Sequence, residues 1–154
     1  MKKSIRLPIA LLLGLCCWWS CQSPPATNTL FTALDSKQTG IDFVNSLQNF
    51  EDYNIFNYRN YYNGGGVALG DINNDQLLDI YFTSNLGENK LYLNKGNFQF
   101  EDITEKAGVA DSEKWSTGAV MVDINHDGLM DLYVCNAGYR AKDNQKNTLY
   151  NFIL

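Results

Sequence analysis

The chain has 154 residues, of which 45% are hydrophobic, 19% charged and 13% aromatic, with 12 Gly and 3 Pro. That composition belongs to one globular domain and excludes a disordered chain, a collagen-like repeat and a large multidomain enzyme. The 17 acidic residues outnumber the 12 basic ones, for a net charge of −5, and such a balance repels phosphate backbones, so no nucleic acid is expected as a partner.

The first six residues carry positive charge through Lys2, Lys3 and Arg6, and residues 7–19 follow as an apolar run too short to span a bilayer. This is the layout of an export signal. Ser20 and Cys21 come next, then Gln22-Ser23-Pro24-Pro25-Ala26-Thr27, a polar, Pro-rich stretch suited to an extended tether. The first segments are therefore a signal peptide over 1–20 and a tether over 21–29. The stretch resembles a bacterial lipoprotein signal peptide. The resemblance implies cleavage before Cys21, lipidation of that cysteine and attachment to the membrane through the lipid. Gln22 in place of an acidic residue implies an outer-membrane lipoprotein of the cell envelope, facing periplasm or exterior. An ordinary secretory signal cut near Ser20, or a poorly cleaved anchor, is the alternative, and every one of these readings takes the domain out of the cytoplasm. Among later residues the only cysteine is Cys135, in the apolar run Leu132-Tyr-Val-Cys135, which predicts a buried, inert thiol.

Residues 30–59 are an N-terminal region in which Phe31-Thr-Ala-Leu-Asp-Ser-Lys-Gln-Thr-Gly-Ile41 loosely echoes Phe100-Glu-Asp-Ile-Thr-Glu-Lys-Ala-Gly-Val109. The echo predicts a strand over 30–45. It is either the outer strand of a unit completed from the other end of the chain or a stray strand with a Gly turn.

From residue 60 an internal repeat organises the chain. Gly66-Val-Ala-Leu-Gly-Asp-Ile-Asn-Asn-Asp-Gln-Leu-Leu-Asp-Ile-Tyr81 matches Gly118-Ala-Val-Met-Val-Asp-Ile-Asn-His-Asp-Gly-Leu-Met-Asp-Leu-Tyr133 at a constant offset of 52. Asn89-Lys-Leu-Tyr then matches Asn147-Thr-Leu-Tyr at an offset of 58, with the extra residues in the polar stretch after Gly138. The first copy occupies 60–109 and the second 110–154. Residues 66–72, 78–83, 90–94 and 98–103 are β-branched or aromatic-rich runs separated by Asn, Asp and Gly, so the repeat reads as four short strands, of which the second, truncated copy reaches the third. An antiparallel unit of four strands recurring about every 50 residues is a β-propeller blade. The fold class is all-β. Since propellers close with roughly four to eight blades, about two blades predict an incomplete propeller, the N-terminal piece of a longer protein.

The chemistry lies in two acidic loops, Asp71-Ile-Asn73-Asn-Asp75-Gln76-Leu77-Leu-Asp79 and Asp123-Ile-Asn125-His-Asp127-Gly128-Leu129-Met-Asp131. Oxygen side chains at positions 1, 3 and 5, a backbone carbonyl at position 7 (Leu77, Leu129) and a carboxylate at position 9 form a hard donor set suited to Ca²⁺. Carboxylates crowded in one small loop repel each other unless a cation neutralises them. No Cys or His pair offers soft ligands for zinc or copper. Phe82 and Val134 stand where an EF-hand has its chelating Glu, so the expected dissociation constant is on the order of 10⁻⁴ to 10⁻³ M. Gly128 suits the positive φ of position 6, whereas Gln76 costs about 1 to 2 kcal/mol there, so the second loop should bind better. The plainer alternative is an Asx-rich hairpin turn.

These repeats resemble FG-GAP or VCBS repeats, the blades of integrin α-subunit propellers, over about residues 60–154. The phrases Tyr62-Asn-Gly-Gly-Gly-Val-Ala-Leu-Gly-Asp71, Asn89-Lys-Leu-Tyr-Leu-Asn94, Phe100-Glu-Asp-Ile-Thr-Glu-Lys-Ala-Gly108 and Trp115-Ser-Thr-Gly118 are similar to exported proteins that pair the repeats with an ASPIC/UnbV domain. The resemblance implies calcium at Asp71, Asn73, Asp75 and Asp79 and at Asp123, Asn125, Asp127 and Asp131. It implies a non-enzymatic module that binds a protein or glycan, adheres or scaffolds. No hydrolase, metalloprotease or phosphate-loop motif is present, and His126, the sole histidine, is expected to be exposed and inert. The alternative is a polysaccharide-acting enzyme that uses two loop carboxylates as acid and base, with aromatics stacking on sugars. Strand packing accounts equally well for Tyr81, Phe82, Tyr92, Tyr133 and Tyr150, and packing between blades for Trp115.

Overall fold

The computed structural model describes residues 29–138 and 146–152. The signal peptide, Cys21 and nearly all of the tether lie outside the described residues. The chain divides into a unit ending at Ala33 and a unit from Leu34 onward. Residues 29–33 of the first carry no helix or strand, and among the described residues every regular element belongs to the second.

That second unit is all-β apart from two single helical turns, α1 (Ser36–Thr39) and α2 (Thr104–Ala107). Strands β1 (Val67–Gly70), β2 (Asp79–Phe82), β3 (Lys90–Asn94) and β4 (Phe100–Asp102) form one antiparallel sheet in chain order. Strands β5 (Trp115–Val122), β6 (Asp131–Ala137) and β7 (Thr148–Tyr150) form a second antiparallel sheet in the same order. The register Ala68↔Tyr81 and Tyr81↔Leu91 in the first sheet recurs as Val120↔Tyr133 and Tyr133↔Leu149 in the second. The two sheets are therefore two copies of one blade-type meander, as the offsets require. β3 and β4 are joined by a turn through Gly96, Asn97 and Phe98, all at positive φ, which Lys95 closes by donating its N–H to the Gln99 carbonyl at 2.7 Å.

The sheets pack face to face. Ala68, Tyr81 and Leu91 of the first meet Met121, Leu132 and Val134 of the second in a buried apolar core, and the Tyr81 hydroxyl donates to the Val109 carbonyl at 2.8 Å inside it. The inner strands β1 and β5 come so close that a Cβ on Gly66 would sit 2.7 Å from the Gly118 Cα and 3.3 Å from both the Ala119 nitrogen and the Thr117 oxygen. Backbone stands on both sides of that contact, so only glycine fits. A Cβ on Gly70 would also be too close, 2.8 Å from the Met121 sulfur and 2.9 Å from the Met121 Cβ.

At one end of the strands the apolar core gives way to a buried amide network. Asn85 donates from Nδ2 to the Gly64 carbonyl at 3.1 Å and to the Ser116 carbonyl at 3.0 Å. Asn89 donates to Ser116 Oγ at 3.0 Å, and that hydroxyl donates to Asn136 Oδ1 at 2.8 Å. The Ser84 N–H donates to Asn89 Oδ1 at 2.8 Å, and its counterpart, Asn136 N–H, to Asn147 Oδ1 at 2.9 Å. The repeat thus extends to its hydrogen bonds. Buried amides held this way fix which sheet faces which, because an unmade bond in the interior costs more than a made one gains. Trp115 is buried beside this network with its ring 5.2 Å from Tyr53, 5.5 Å from Tyr58 and 5.4 Å from Tyr61.

Two expectations require correction. No strand forms over 30–45. What the echo encodes is a helical turn ended by a left-handed glycine: α1 stops at Gly40 (φ 79°) as α2 stops at Gly108 (φ 67°). The chain then runs unpaired over the first sheet, with Phe43 stacked on Phe82 at 5.0 Å and Asp42 accepting from the Tyr92 hydroxyl at 2.9 Å. Cys135 is exposed rather than buried. In β6 the alternation puts Leu132, Val134 and Asn136 inward, which leaves Cys135 on the other face.

The β1–β5 contact gives a direct test. Replacing Gly66 with Ala should destabilise the protein by about 1 to 3 kcal/mol, since backbone cannot yield as a side chain can. Gly118→Ala should cost clearly less, because a Cβ there would meet no atom within 4 Å. Chemical denaturation of the two variants measures both, and equal costs would contradict the packing described.

Candidate metal centre

Both acidic loops are the connections between the first two strands of a sheet, β1 to β2 and β5 to β6. In the first loop the Asp71 carboxylate accepts from the Asp75 N–H at 3.1 Å and, with its other oxygen, from the Gln76 N–H at 2.7 Å. Asn73 Oδ1 accepts from the same Asp75 N–H at 3.2 Å, while Asn73 Nδ2 donates to Asp75 Oδ2 at 2.9 Å. Asp75 Oδ1 accepts from the Leu77 N–H at 2.8 Å. Positions 1, 3 and 5 are thereby drawn around one backbone amide.

The second loop repeats every one of these bonds. Asp123 accepts from the Asp127 N–H at 3.2 Å and the Gly128 N–H at 3.0 Å. Asn125 accepts from the Asp127 N–H at 3.0 Å and donates to Asp127 Oδ2 at 2.8 Å. Asp127 Oδ1 accepts from the Leu129 N–H at 2.9 Å. The loops also touch, Asn74 Nδ2 donating to the Gly128 carbonyl at 3.3 Å.

Position 9 makes a separate set of bonds. Asp79 is fully buried, accepting from the Ile72 N–H at 2.9 Å and the Asn94 N–H at 2.7 Å. It braces the entry of the loop against β3. Burial pushes its carboxyl above the usual carboxylate range, the two backbone bonds oppose that rise, and the charges of Asp75 and Asp71 add to it. Asp131 is the counterpart: Oδ2 accepts from the Ile124 N–H at 3.0 Å, whereas its buried Oδ1 has no partner. β7 ends at Tyr150, short of the position that corresponds to Asn94.

The structure therefore brings together Asp71, Asn73 and Asp75, and likewise Asp123, Asn125 and Asp127, with Leu77 and Leu129 adjoining through their N–H groups. It sets Asp79 and Asp131 behind each loop as braces. Among the described residues no three His, Cys, Asp or Glu side chains form a ready metal cluster, because the loop carboxylates are turned toward backbone N–H groups. The donors are oxygens in a partly exposed loop, chemistry that fits a hard cation.

Position 6 is left-handed in both loops, Gln76 at φ 70° and Gly128 at φ 86°. Position 4, which the sequence pattern did not single out, is left-handed in both as well, Asn74 at φ 58° and His126 at φ 61°. Asn and His are among the residues that tolerate this region best, which was the available signal. Asn94 also went unmarked in the sequence, yet its N–H holds Asp79 and its side chain donates to the Leu78 carbonyl at 2.9 Å. His126 is exposed.

The stretch containing both loops, residues 71–134, matches the model of the FG-GAP-like repeat. Residues 71–134 belong to the FG-GAP-like repeat family. The two blade-type sheets described above carry this match. The chain is also similar to cartilage acidic protein 1 of Xenopus tropicalis, with 38% identity over 78 residues, which is 50% of this chain and 12% of that protein. The Mus musculus protein of the same name is 36% identical over 73 residues, 47% of this chain and 11% of the mouse protein. The Homo sapiens protein is 34% identical over 76 residues, 49% of this chain and 12% of the human protein. The match thus spans about an eighth of the length of these relatives.

Three substitutions check the FG-GAP loop geometry in chelator-containing buffer. Asp79→Asn sets an amide N–H₂ against a backbone N–H and should cost about 1.5 to 3 kcal/mol. Asp131→Asn, where one oxygen faces no donor, should cost clearly less. Gln76→Gly should stabilise by about 1 kcal/mol by relieving the left-handed backbone. Equal losses at the two Asp positions, measured by denaturant unfolding, would contradict the bracing role.

Proposed function

We propose that the chain is a calcium-binding, non-enzymatic FG-GAP-like repeat module of an exported envelope lipoprotein, used to bind a protein or glycan, to adhere or to scaffold. The observation that carries the reading is that the two loops, 52 residues apart, gather the same oxygens through the same hydrogen bonds. A hairpin needs only a few Asx residues to turn. Five matching oxygen positions in each copy exceed that need.

Asp71, Asn73, Asp75 and Asp79 in the first loop, and Asp123, Asn125, Asp127 and Asp131 in the second, would hold the ion, with the Leu77 and Leu129 carbonyls and water completing an oxygen shell. Bound calcium supplies the positive charge that offsets the mutual repulsion of the loop carboxylates. Asp79 and Asp131 also accept the N–H of position 2, which fixes each loop entry. The effect on the fold is to tie the inner hairpin of each sheet, so the metal acts on stability and not on a reacting bond.

With a dissociation constant on the order of 10⁻⁴ to 10⁻³ M, 10 mM calcium should stabilise the protein by about 1.4 to 2.7 kcal/mol per site. A thermal shift between EGTA and 10 mM calcium reads this, and Asp127→Asn should remove most of it. Identical melting in both buffers would overturn the calcium reading.

The envelope reading rests on the leader and on Ser20-Cys21. Expressed in a bacterium that processes lipoproteins, the chain should take up labelled palmitate and fractionate with membranes. Cys21→Ala should lose both properties, and a Cys21→Ala protein that keeps the label would overturn the assignment.

A further inference from the structure

The run Asn63-Gly64-Gly65-Gly66 leads into β1, and its glycines each have a reason in the fold. A Cβ on Gly65 would lie 2.1 Å from the Thr83 carbonyl oxygen, one on Gly66 would lie 2.7 Å from the Gly118 Cα, and Gly64 is left-handed at φ 82°. The Asn63 side chain has no such reason. It is exposed and makes no hydrogen bond to any described residue, while the Asn63 backbone N–H closes a turn on the Asn60 carbonyl at 3.2 Å. The Gly64 N–H, the next amide along the chain, is equally without a partner among the described residues.

This is the one Asn-Gly step in the sequence, and Asp127-Gly128 is the one Asp-Gly step. In both, the side-chain carbonyl carbon and the following glycine nitrogen can close a five-membered ring, and glycine leaves that nitrogen uncrowded because it has no Cβ. The two steps are held differently. At Asp127-Gly128 the glycine N–H donates to Asp123 at 3.0 Å, and the Asp127 carboxylate accepts from the Leu129 N–H at 2.9 Å and from Asn125 Nδ2 at 2.8 Å. Ring closure there must break all three bonds. At Asn63-Gly64 no such bond stands in the way.

We propose that Asn63-Gly64 is a site of spontaneous deamidation, while the loop bonds protect Asp127-Gly128 from the same ring closure. The Gly64 nitrogen gives its proton to water or hydroxide and attacks Cγ of Asn63. The N–Cγ bond forms, the Cγ–Nδ2 bond breaks and ammonia leaves, which yields a succinimide. Water then opens that ring at its side-chain carbonyl, giving aspartate, or at its main-chain carbonyl, giving isoaspartate, whose backbone is one carbon longer. One water is consumed, one ammonia is released, and nothing is oxidised or reduced. The reaction is intramolecular, so no enzyme has to reach the site. Its product puts a carboxylate directly before Gly64, whose carbonyl accepts from Asn85 Nδ2 at 3.1 Å, and close to Gly66, whose N–H donates to Thr83 Oγ1 at 2.6 Å. These bonds pin the glycine run. The extra backbone carbon is therefore taken up on the other side, in the segment that carries Tyr58 and Tyr61 onto Trp115.

Ageing the full chain in mildly alkaline buffer with EGTA, folded and in urea, tests this without drawing on the calcium reading. Peptide mapping follows the tryptic fragment 60–90, in which fragmentation assigns the mass gain of about one dalton to a residue and distinguishes isoaspartate from aspartate. Asn63 should react in the folded chain less than tenfold slower than in urea, whereas isoaspartate formation at Asp127 should be at least tenfold slower in the folded chain. Asn63→Gln keeps an exposed amide but cannot close the five-membered ring, so it should fold normally by circular dichroism and lose the mass gain. An Asn63 rate that falls tenfold or more on folding would overturn the proposal. So would Asp127 reacting as fast folded as in urea, or a mass gain in fragment 60–90 that proceeds as fast in Asn63→Gln as in wild type.

Discussion

Each sheet turns between its first two strands on carboxylates that are held by backbone N–H groups, and the rest of the structure depends on that exchange. Asp71 and Asp123 collect the amides of positions 5 and 6, and Asp79 and Asp131 collect the amide of position 2 from below. A tight loop of nine residues has too few carbonyls in reach to pair its own N–H groups, and water would pair them without fixing a shape. Charge-assisted bonds to carboxylates are stronger than neutral ones, so acidic side chains at these positions set the path of the backbone. The consequence is a high density of negative charge, relieved only partly by N–H dipoles. The proposed calcium role follows from that residue of charge.

The loops can repeat because the sheets can stack. Glycine at 66 lets β1 and β5 approach backbone to backbone, and the amides of Asn85, Asn89 and Asn136 lock the registration at one end. Apolar contact among Tyr81, Leu91, Leu132 and Val134 supplies the driving force between those two constraints. The same arrangement places both acidic loops at the other end of the strands, close enough for Asn74 to reach the carbonyl of Gly128. A ligand-binding or scaffolding surface built this way would be stiff in its sheets and tunable in its loops.

Much of this was legible in the residues. The constant offset and the spacing of β-branched and aromatic runs located the strands of both copies within two or three residues, because hydrophobic patterning and Asx–Gly turns are local signals. The positive φ of Gln76 and Gly128 followed from the position each holds in the loop. Other features were hidden because they depend on partners distant in sequence. Cys135 sits in an apolar run, yet the period-two pleat of β6 turns it outward, and only the pairing with β5 tells which parity faces the core. Residues 30–45 have strand-like composition, yet they pair with no strand and Gly40 ends a helical turn instead. The bracing of Asp79 by Asn94, a β3 residue, was equally out of reach of local reading.

The most direct measurement of the central claim is a ¹H–¹⁵N correlation spectrum of the chain recorded during calcium addition. The account predicts that the amide signals of Asp75, Gln76 and Leu77, and of Asp127, Gly128 and Leu129, move first and saturate at millimolar calcium, the second set ahead of the first, while β3 and β4 stay in place. Signals in both loops that remain fixed at saturating calcium, or shifts spread evenly over the sheets, would contradict it.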